Sequence, residues 1–165
     1  MAEANAETPI IVAGTGPAGL IAALALAQRG FKVALVGPRV NLDDRRTTAL
    51  MAPSLQFLDG LGLREAISAE AAPLARMRIV DATSRLVRAP VVTFSASEIG
   101  EPYFGLNIPN RSLNAALDSA VRAQDGIEWH ESLVAGWSLA ADHVAASLAS
   151  GEVLKGKLAV AADGR

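Results

Sequence analysis

Gly14-Thr15-Gly16-Pro17-Ala18-Gly19 is a GxGxxG run, a spacing that lets a backbone take hold of a phosphate. The first glycine permits a tight turn, the second leaves no Cβ between the backbone and a pyrophosphate, and the third lets a helix pack closely on its strand. Pro17 and Ala18 then open the helix. Its first N–H groups lack intrahelical acceptors, and its dipole favours an anion. Glycines also gather at strand–helix turns that bind nothing, so the reading depends on the flanks. Upstream, Ile10–Ala13 is an apolar run of strand length. Downstream, 20–27 is an apolar run of helical length, closed by Arg29-Gly30, and 32–36 (Lys-Val-Ala-Leu-Val) is a second buried strand. A β–α–β unit around GxGxxG points to dinucleotide binding.

Folds of this kind place Asp or Glu at the end of the second strand to accept the ribose hydroxyls. Here that position is Gly37, with Arg39 two residues further on. An arginine there suits a 2′-phosphate, and so NADP, or is simply solvated. With no acid at position 37, the ribose must be held by another group, by backbone or by water. A Glu at position 37 is expected to tighten binding.

The remaining elements follow from periodicity and punctuation. Residues 40–48 read as a charged loop, 49–58 as a helix broken by Gly60 and Gly62, and 63–71 as one more short helix. Past Pro73, Met77 and Ile79 alternate with arginines, Asp81-Ala82-Thr83-Ser84 supplies turn residues, and 86–94 resumes β-like content. Those features predict an antiparallel hairpin. Residues 104–108 read as a strand. Asn110 suits the N-cap of a helix over 111–123, with Leu113, Ala116, Leu117 and Ala120 on one face. Strands are expected at 127–129, 133–139, 144–148 and 158–162. The fold class is therefore α/β, a Rossmann-like parallel sheet with an antiparallel β segment. The chain stops at Asp163-Gly164-Arg165, just past a buried strand, so it is expected to be the N-terminal part of a longer protein.

Composition narrows the field. The 165 residues are 51% hydrophobic and 19% charged, enough to fill a core. Fifteen basic against seventeen acidic residues give −2, which argues against a nucleic-acid partner. There is no cysteine, which excludes disulfides, zinc–thiolate sites, iron–sulfur clusters and thiol nucleophiles. With only His130 and His143, no multi-histidine metal site is expected. The uncharged run 8–28 is long enough to span a membrane, but its glycines and proline fit a strand–turn–helix unit better. Residues 1–8 carry Glu3 and Glu7 and no Lys or Arg, unlike a secretory signal. A cytoplasmic protein without a transmembrane segment is expected. Trp129 and Trp137 are expected in the core. The hairpin arginines Arg76, Arg78, Arg85 and Arg88 are expected on a solvated sheet face.

Four segments occur in a familiar order: Pro17-Ala18-Gly19-Leu20; Asp44-Arg45-Arg46-Thr47-Thr48-Ala49-Leu50 with Ser54; Asn110-Arg111-Ser112-Leu113; and Ala162-Asp163-Gly164. Together they resemble the FAD-dependent aromatic hydroxylases of the para-hydroxybenzoate hydroxylase class, most closely the branch acting on polyprenylated phenols in ubiquinone biosynthesis. The resemblance implies FAD as cofactor, NAD(P)H as electron donor, O₂ as oxidant and an aromatic small molecule as substrate. It implies that Gly14, Gly16, Pro17, Ala18 and Gly19 cradle the cofactor, and that Arg46 contacts it, or Arg45 if the register slips by one. It also places Arg111 behind the flavin and Asp163 near the pyrophosphate, where the aspartate influences NAD(P)H binding. Arg39 completes the candidate set. An arginine fork suits phosphate oxygens in any case. The catalytic residues stay open, and the substrate contacts are expected mostly beyond residue 165. Residues 1–165 are read as an FAD-binding domain fragment, with about 73–105 adding strands to a substrate-side antiparallel sheet. Peripheral membrane association and self-association are open expectations. An NADP-dependent dehydrogenase and a non-catalytic nucleotide-sensing module are the rival readings.

Overall fold

The computed structural model describes residues 9–164. In chain order the elements are β1 (Ile10–Ala13), α1 (Pro17–Ala27), β2 (Val33–Val36), β3 (Thr47–Met51), α2 (Ala52–Gly60) and α3 (Arg64–Ser68). Then come β4 (Ala72–Pro73), β5 (Arg76–Ile79), β6 (Val92–Ser95), a 3-10 turn (Ala96–Ile99), β7 (Gly105–Pro109) and α4 (Asn110–Ala123). The last strands are β8 (Ile127–His130), β9 (Val134–Leu139), β10 (Val144–Leu148), β11 (Val153–Gly156) and β12 (Leu158–Ala161). They divide between two compact units, residues 9–44 with 111–164, and residues 45–110.

The first unit is built on a parallel sheet of order β12-β1-β2-β8. Strands covered on both faces must be apolar along their whole length, which is why β1 and β2 read as unbroken hydrophobic runs rather than alternating ones. Ile11, Val12, Val33 and Leu35 are completely buried. A three-stranded antiparallel sheet, β9-β10-β11, supplies Val144, Ala146 and Leu148 to the same cluster as Ile11, Ala34 and Val36. Helix α1 packs against β1, β2 and β8 through buried Leu20, Ala23 and Leu24. Burying each such leucine contributes about 1.5–3 kcal/mol. Helix α4 buries Leu113, Leu117 and Val121 at i, i+4 and i+8, and Asn114 Nδ2 donates to the Asn41 carbonyl at 2.8 Å, tying α4 to the loop after β2.

In the second unit β7 pairs antiparallel with β3 on one side and β4 on the other. Buried Leu55, Leu58, Ile67, Leu106 and Ile108 fill its interior. Strands β5 and β6 form a separate antiparallel pair.

The α/β class with parallel and antiparallel sheets matches the expectation, and several boundaries move. Residues 49–51 belong to strand β3 and not to a helix. Pro53 sits in the first turn of α2, where its missing N–H costs nothing, and so marks the true start. The expected strand 86–94 shrinks to β6, because 80–91 is a connection longer than a tight turn. Asp81 organises that connection, accepting the N–H of Thr83 and of Ala89, both at 3.0 Å. Asn110 is the first helical residue of α4, and its Oδ1 accepts the Thr48 hydroxyl at 2.6 Å. Trp137 is 44% exposed and lies outside the core. Strands β4 and β11 carried too short or too mixed a pattern to be read from sequence.

Candidate functional site

The strand ends of the parallel sheet converge at the GxGxxG turn. Past β1, the Gly14 N–H donates to the Val36 carbonyl at 2.7 Å, and past β12 the Ala162 N–H donates to the Ala13 carbonyl at 2.7 Å. Past β2, the Gly37 N–H donates to the His130 carbonyl at 3.1 Å. These bonds carry the ladder one step beyond the strands; the first two hold the start of the turn between β2 and β12, and the third ties β2 to β8. The carboxyl ends of parallel strands are where open α/β sheets bind ligands.

The three glycines of the motif do different work. Gly14 has φ +113°, and a Cβ there would overlap the Ala162 carbonyl. A Cβ on Gly19 would overlap the Gly14 carbonyl. These two glycines therefore allow turn, helix and β12 to close on one another. Gly16 caps α1 with φ −71° and ψ 174°, which any residue adopts, and a Cβ there would meet nothing within 4 Å. Nothing in the protein requires a glycine at position 16. Pro17 takes the first helical position, where it sacrifices no hydrogen bond. The N–H groups of Ala18 and Gly19 lack intrahelical acceptors by helix geometry.

A groove of about 470 Å³ opens at this end. Its walls are residues 13–16, residues 36–38 at the end of β2, residues 132–134 beyond β8, and residues 162–164 beyond β12. Gly14, Gly16 and Asp163 thus share one groove. Arg111 lies in the same compact unit, exposed in the first turn of α4. Arg45 and Arg46 belong to the second unit, immediately before β3, and the Arg46 carbonyl accepts the Asn110 N–H at 2.9 Å.

Two residues that sequence reasoning passed over change the β2 end. Thr15 is buried, and its hydroxyl donates to the Pro38 carbonyl at 2.7 Å. A Cβ on Gly37 would lie 2.6 Å from Thr15 Cγ2 and 2.7 Å from Thr15 Oγ1. Position 37 is therefore closed to any side chain while Thr15 is present, and the expectation that a Glu there would tighten binding fails on steric grounds. The second residue is Glu131, which forms an ion pair with Arg39. Arg39 is thus engaged by a carboxylate, which weakens its reading as a lone cation awaiting a 2′-phosphate.

Behind this end stands a polar buttress. Trp129 Nε1 donates to the Gly37 carbonyl at 3.0 Å. The Arg122 guanidinium lies over the Trp129 ring, 5.3 Å from its centroid. Asp118 accepts from Arg122 Nε at 2.8 Å and from Nη2 at 3.0 Å. The hydrogen-bonded Asp118 carboxylate, with a smaller contribution from the charge of Glu131, pushes the Arg122 pKa further up.

The chain is 34% identical to the 3-demethoxyubiquinol 3-hydroxylase of Escherichia coli, across 97% of this chain and 42% of that protein. It is 27% identical to ubiquinone hydroxylase UbiL of Rhodospirillum rubrum, across 98% of this chain and 38% of that protein. The chain thus spans about two fifths of the length of these curated relatives. Among solved structures it resembles the flavin-dependent monooxygenase PieE in complex with FAD and substrate, with a TM-score of 0.75 at 21% identity over 98% of this chain and 31% of that one. It also resembles p-nitrophenol 4-monooxygenase PnpA from Pseudomonas putida, with a TM-score of 0.74 at 21% identity over 95% of this chain and 41% of that one. At that identity the likeness shows the fold alone. The FAD binding domain family matches residues 7–165, nearly the whole sequence, and the chain belongs to that family.

Proposed function

We propose that the chain supplies the FAD-holding part of an NAD(P)H- and O₂-dependent aromatic hydroxylase acting on a phenolic ubiquinone precursor. The observation that carries this reading is the division among the motif glycines. Gly14 and Gly19 are demanded by the protein's own packing, whereas Gly16 faces open space. A position without internal need for glycine, at the mouth of a groove and the start of a helix, fits the close approach of a pyrophosphate. The groove volume lies within the usual range for ligand pockets. Its lining joins glycine backbone and one acid, Asp163, to apolar Val36, Pro38, Leu133 and Val134, a mixture that suits the adenosine–pyrophosphate half of FAD.

Bound FAD supplies the redox chemistry, and the residues of this chain hold and orient it. In this reading Gly14 and Gly16 present backbone to the pyrophosphate, and Pro17, Ala18 and Gly19 aim the first turn of α1 at it. Asp163 sets the polarity of the opposite wall. Arg46 and Arg111 are assigned cofactor contacts by the resemblance of their segments, as forks for phosphate or hydroxyl oxygens. Arg39 acts through its partner Glu131. The ubiquinone-precursor substrate rests on the names of the two curated relatives. A polyprenylated phenol resides in a bilayer, so the reading places the protein at a membrane surface. Among the described residues no helix is long and apolar enough to cross a membrane.

The test is a purified full-length protein. It should carry a flavin absorbance band, and a phenolic ubiquinone precursor should stimulate its NAD(P)H oxidation. Absence of flavin, or NADPH oxidation indifferent to every phenol while a simple alcohol or ketone is turned over, would overturn the reading in favour of a dehydrogenase. Co-sedimentation with phospholipid vesicles checks the membrane-surface part.

A further inference from the structure

We propose that Glu131 makes the ribose contact that a β2-terminal acid makes in other dinucleotide folds, and that Arg39 is its positioning residue. The inference rests on the reading of the groove as an FAD site and deepens it.

The first step is exclusion. The usual acid position is Gly37, and the structure shows more than a missing side chain there. Thr15 fills the space that a Cβ at position 37 would need, and its hydroxyl is committed to the Pro38 carbonyl. The β2 end can offer a ribose only backbone. Buried or half-buried hydroxyls need acceptors, and a charged acceptor is worth more than a neutral one.

The second step is register. Strand β8 runs parallel to β2, with Val33 opposite Ile127, Ala34 opposite Glu128, Leu35 opposite Trp129 and Val36 opposite His130. The ladder continues past the strand ends, because the Gly37 N–H donates to the His130 carbonyl. The next step of that register sets Glu131 beside Gly37. The neighbouring strand therefore brings a carboxylate to the level at which β2 lacks one. The acid and its cation each stand one residue outside the groove lining: Pro38, which precedes Arg39, and Ser132, which follows Glu131, line the wall.

The third step is capacity. A carboxylate has about four acceptor sites. The ion pair with Arg39 uses only part of that set, which leaves room for ribose hydroxyls while the guanidinium holds the carboxylate in place. Arg122 adds a second cation on the same side, close enough for the charge of Glu131 to be felt there. Thr15, Gly37, Arg39 and Glu131 then act as one exchange: the acid has moved one strand over, and a threonine has closed the old position.

The probes are adenosine diphosphate and its 2′,3′-dideoxy analogue, titrated calorimetrically into the purified protein. They share the pyrophosphate and differ only in the hydroxyls at issue. The wild type should prefer adenosine diphosphate by about ten-fold, the size of one charge-assisted hydrogen bond. Glu131→Gln, a near-isosteric change at an exposed position, should bring the two ligands to equal affinity. Arg39→Ala should reduce the preference and Arg39→Lys should keep most of it. If Glu131→Gln retains the ten-fold preference, Glu131 is not the acceptor and the proposal falls. If Arg39→Ala retains it, the positioning role falls. Gly16→Val separates the two readings. It should weaken both ligands equally, and if it weakens neither, the FAD cradle itself is wrong.

Discussion

The parallel sheet of the first unit and the β5–β6 pair of the second use similar apolar residues to opposite ends. Ile11, Val12 and Leu35 have no exposed surface, whereas Met77, Ile79, Val92 and Phe94 are 41–54% exposed. Both regions satisfy a strand pattern. What differs is the number of layers around them. Strands β1 and β2 have helix α1 on their flank and the cluster shared with β10, and two isolated strands gain little from pairing alone. Strand propensity describes fit to a pleated surface, and burial is decided by what else reaches that surface.

The largest expected effect breaks or confirms that contrast directly. Leu35→Ala should cost about 2–5 kcal/mol, the range for a fully buried leucine whose surroundings collapse only in part. Ile79→Ala should stay under about 1 kcal/mol, since half of the side chain is already in water. Chemical denaturation of both variants measures the gap. Equal losses would mean that β5 is covered in solution and that the contrast is false.

A second contrast lies inside the glycine motif. Gly14→Ala and Gly19→Ala each place a methyl against a backbone carbonyl, and overpacking of this kind costs about 1–3 kcal/mol or more. At Gly14 the positive φ adds strain of its own. Gly16→Val should leave stability within about 0.5 kcal/mol and abolish FAD retention. Thermal unfolding beside flavin absorbance reads both. A Gly16→Val protein that unfolds like Gly14→Ala would mean that position 16 is structural and that the ligand reading of the motif has lost its support.

These contrasts show where the sequence was informative. The β–α–β unit was legible because continuous apolar runs, a glycine-marked turn and a basic-glycine stop all agreed. Strand β3 was hidden because Ala49, Leu50 and Met51 are good helix formers, and only the pairing with β7 makes them extended. The strand–turn–helix at GxGxxG was legible, and one groove gathers Gly14, Gly16 and Asp163. The Thr15–Gly37 exclusion was not legible, because the two positions lie far apart in sequence and the clash exists only once β1 and β2 are in register. Glu131 was missed for the same reason. Nothing near it in the sequence marks it, and its place follows from the parallel step after His130.

The buttress behind Gly37 should give a smaller effect. Arg122→Ala removes a cation over Trp129 and leaves Asp118 without its partner, both at the surface. A small loss of stability is expected, since both charges remain solvated. The Trp129 indole N–H resonance should shift as its bond to the Gly37 carbonyl loosens. An unchanged resonance would show that the tryptophan holds Gly37 without help.

The smallest effect concerns how the exposed pair β5–β6 keeps its connection ordered without a core. Asp81 stands at the end of β5, and its two oxygens accept the N–H groups of Thr83 and Ala89. The bond from Ala89, and then that from Thr83, favours the ionised carboxylate and holds its pKa below the ordinary aspartate value. A carboxylate with a lowered folded pKa contributes order that is complete above its unfolded pKa and is lost as pH falls through the folded one. Acidification should therefore release the Thr83 and Ala89 amides together, with a midpoint below that of an unstructured aspartate. The amides of Val12 and Leu35 serve as the buried reference and should not follow that titration. Asp81→Ala should produce the same release at neutral pH, seen as faster hydrogen exchange at Thr83 and Ala89 alone. If those two amides stay protected in Asp81→Ala, or titrate with the midpoint of a free aspartate, the connection is ordered by something other than Asp81. The second unit would then owe less to single surface hydrogen bonds than its exposed strands imply.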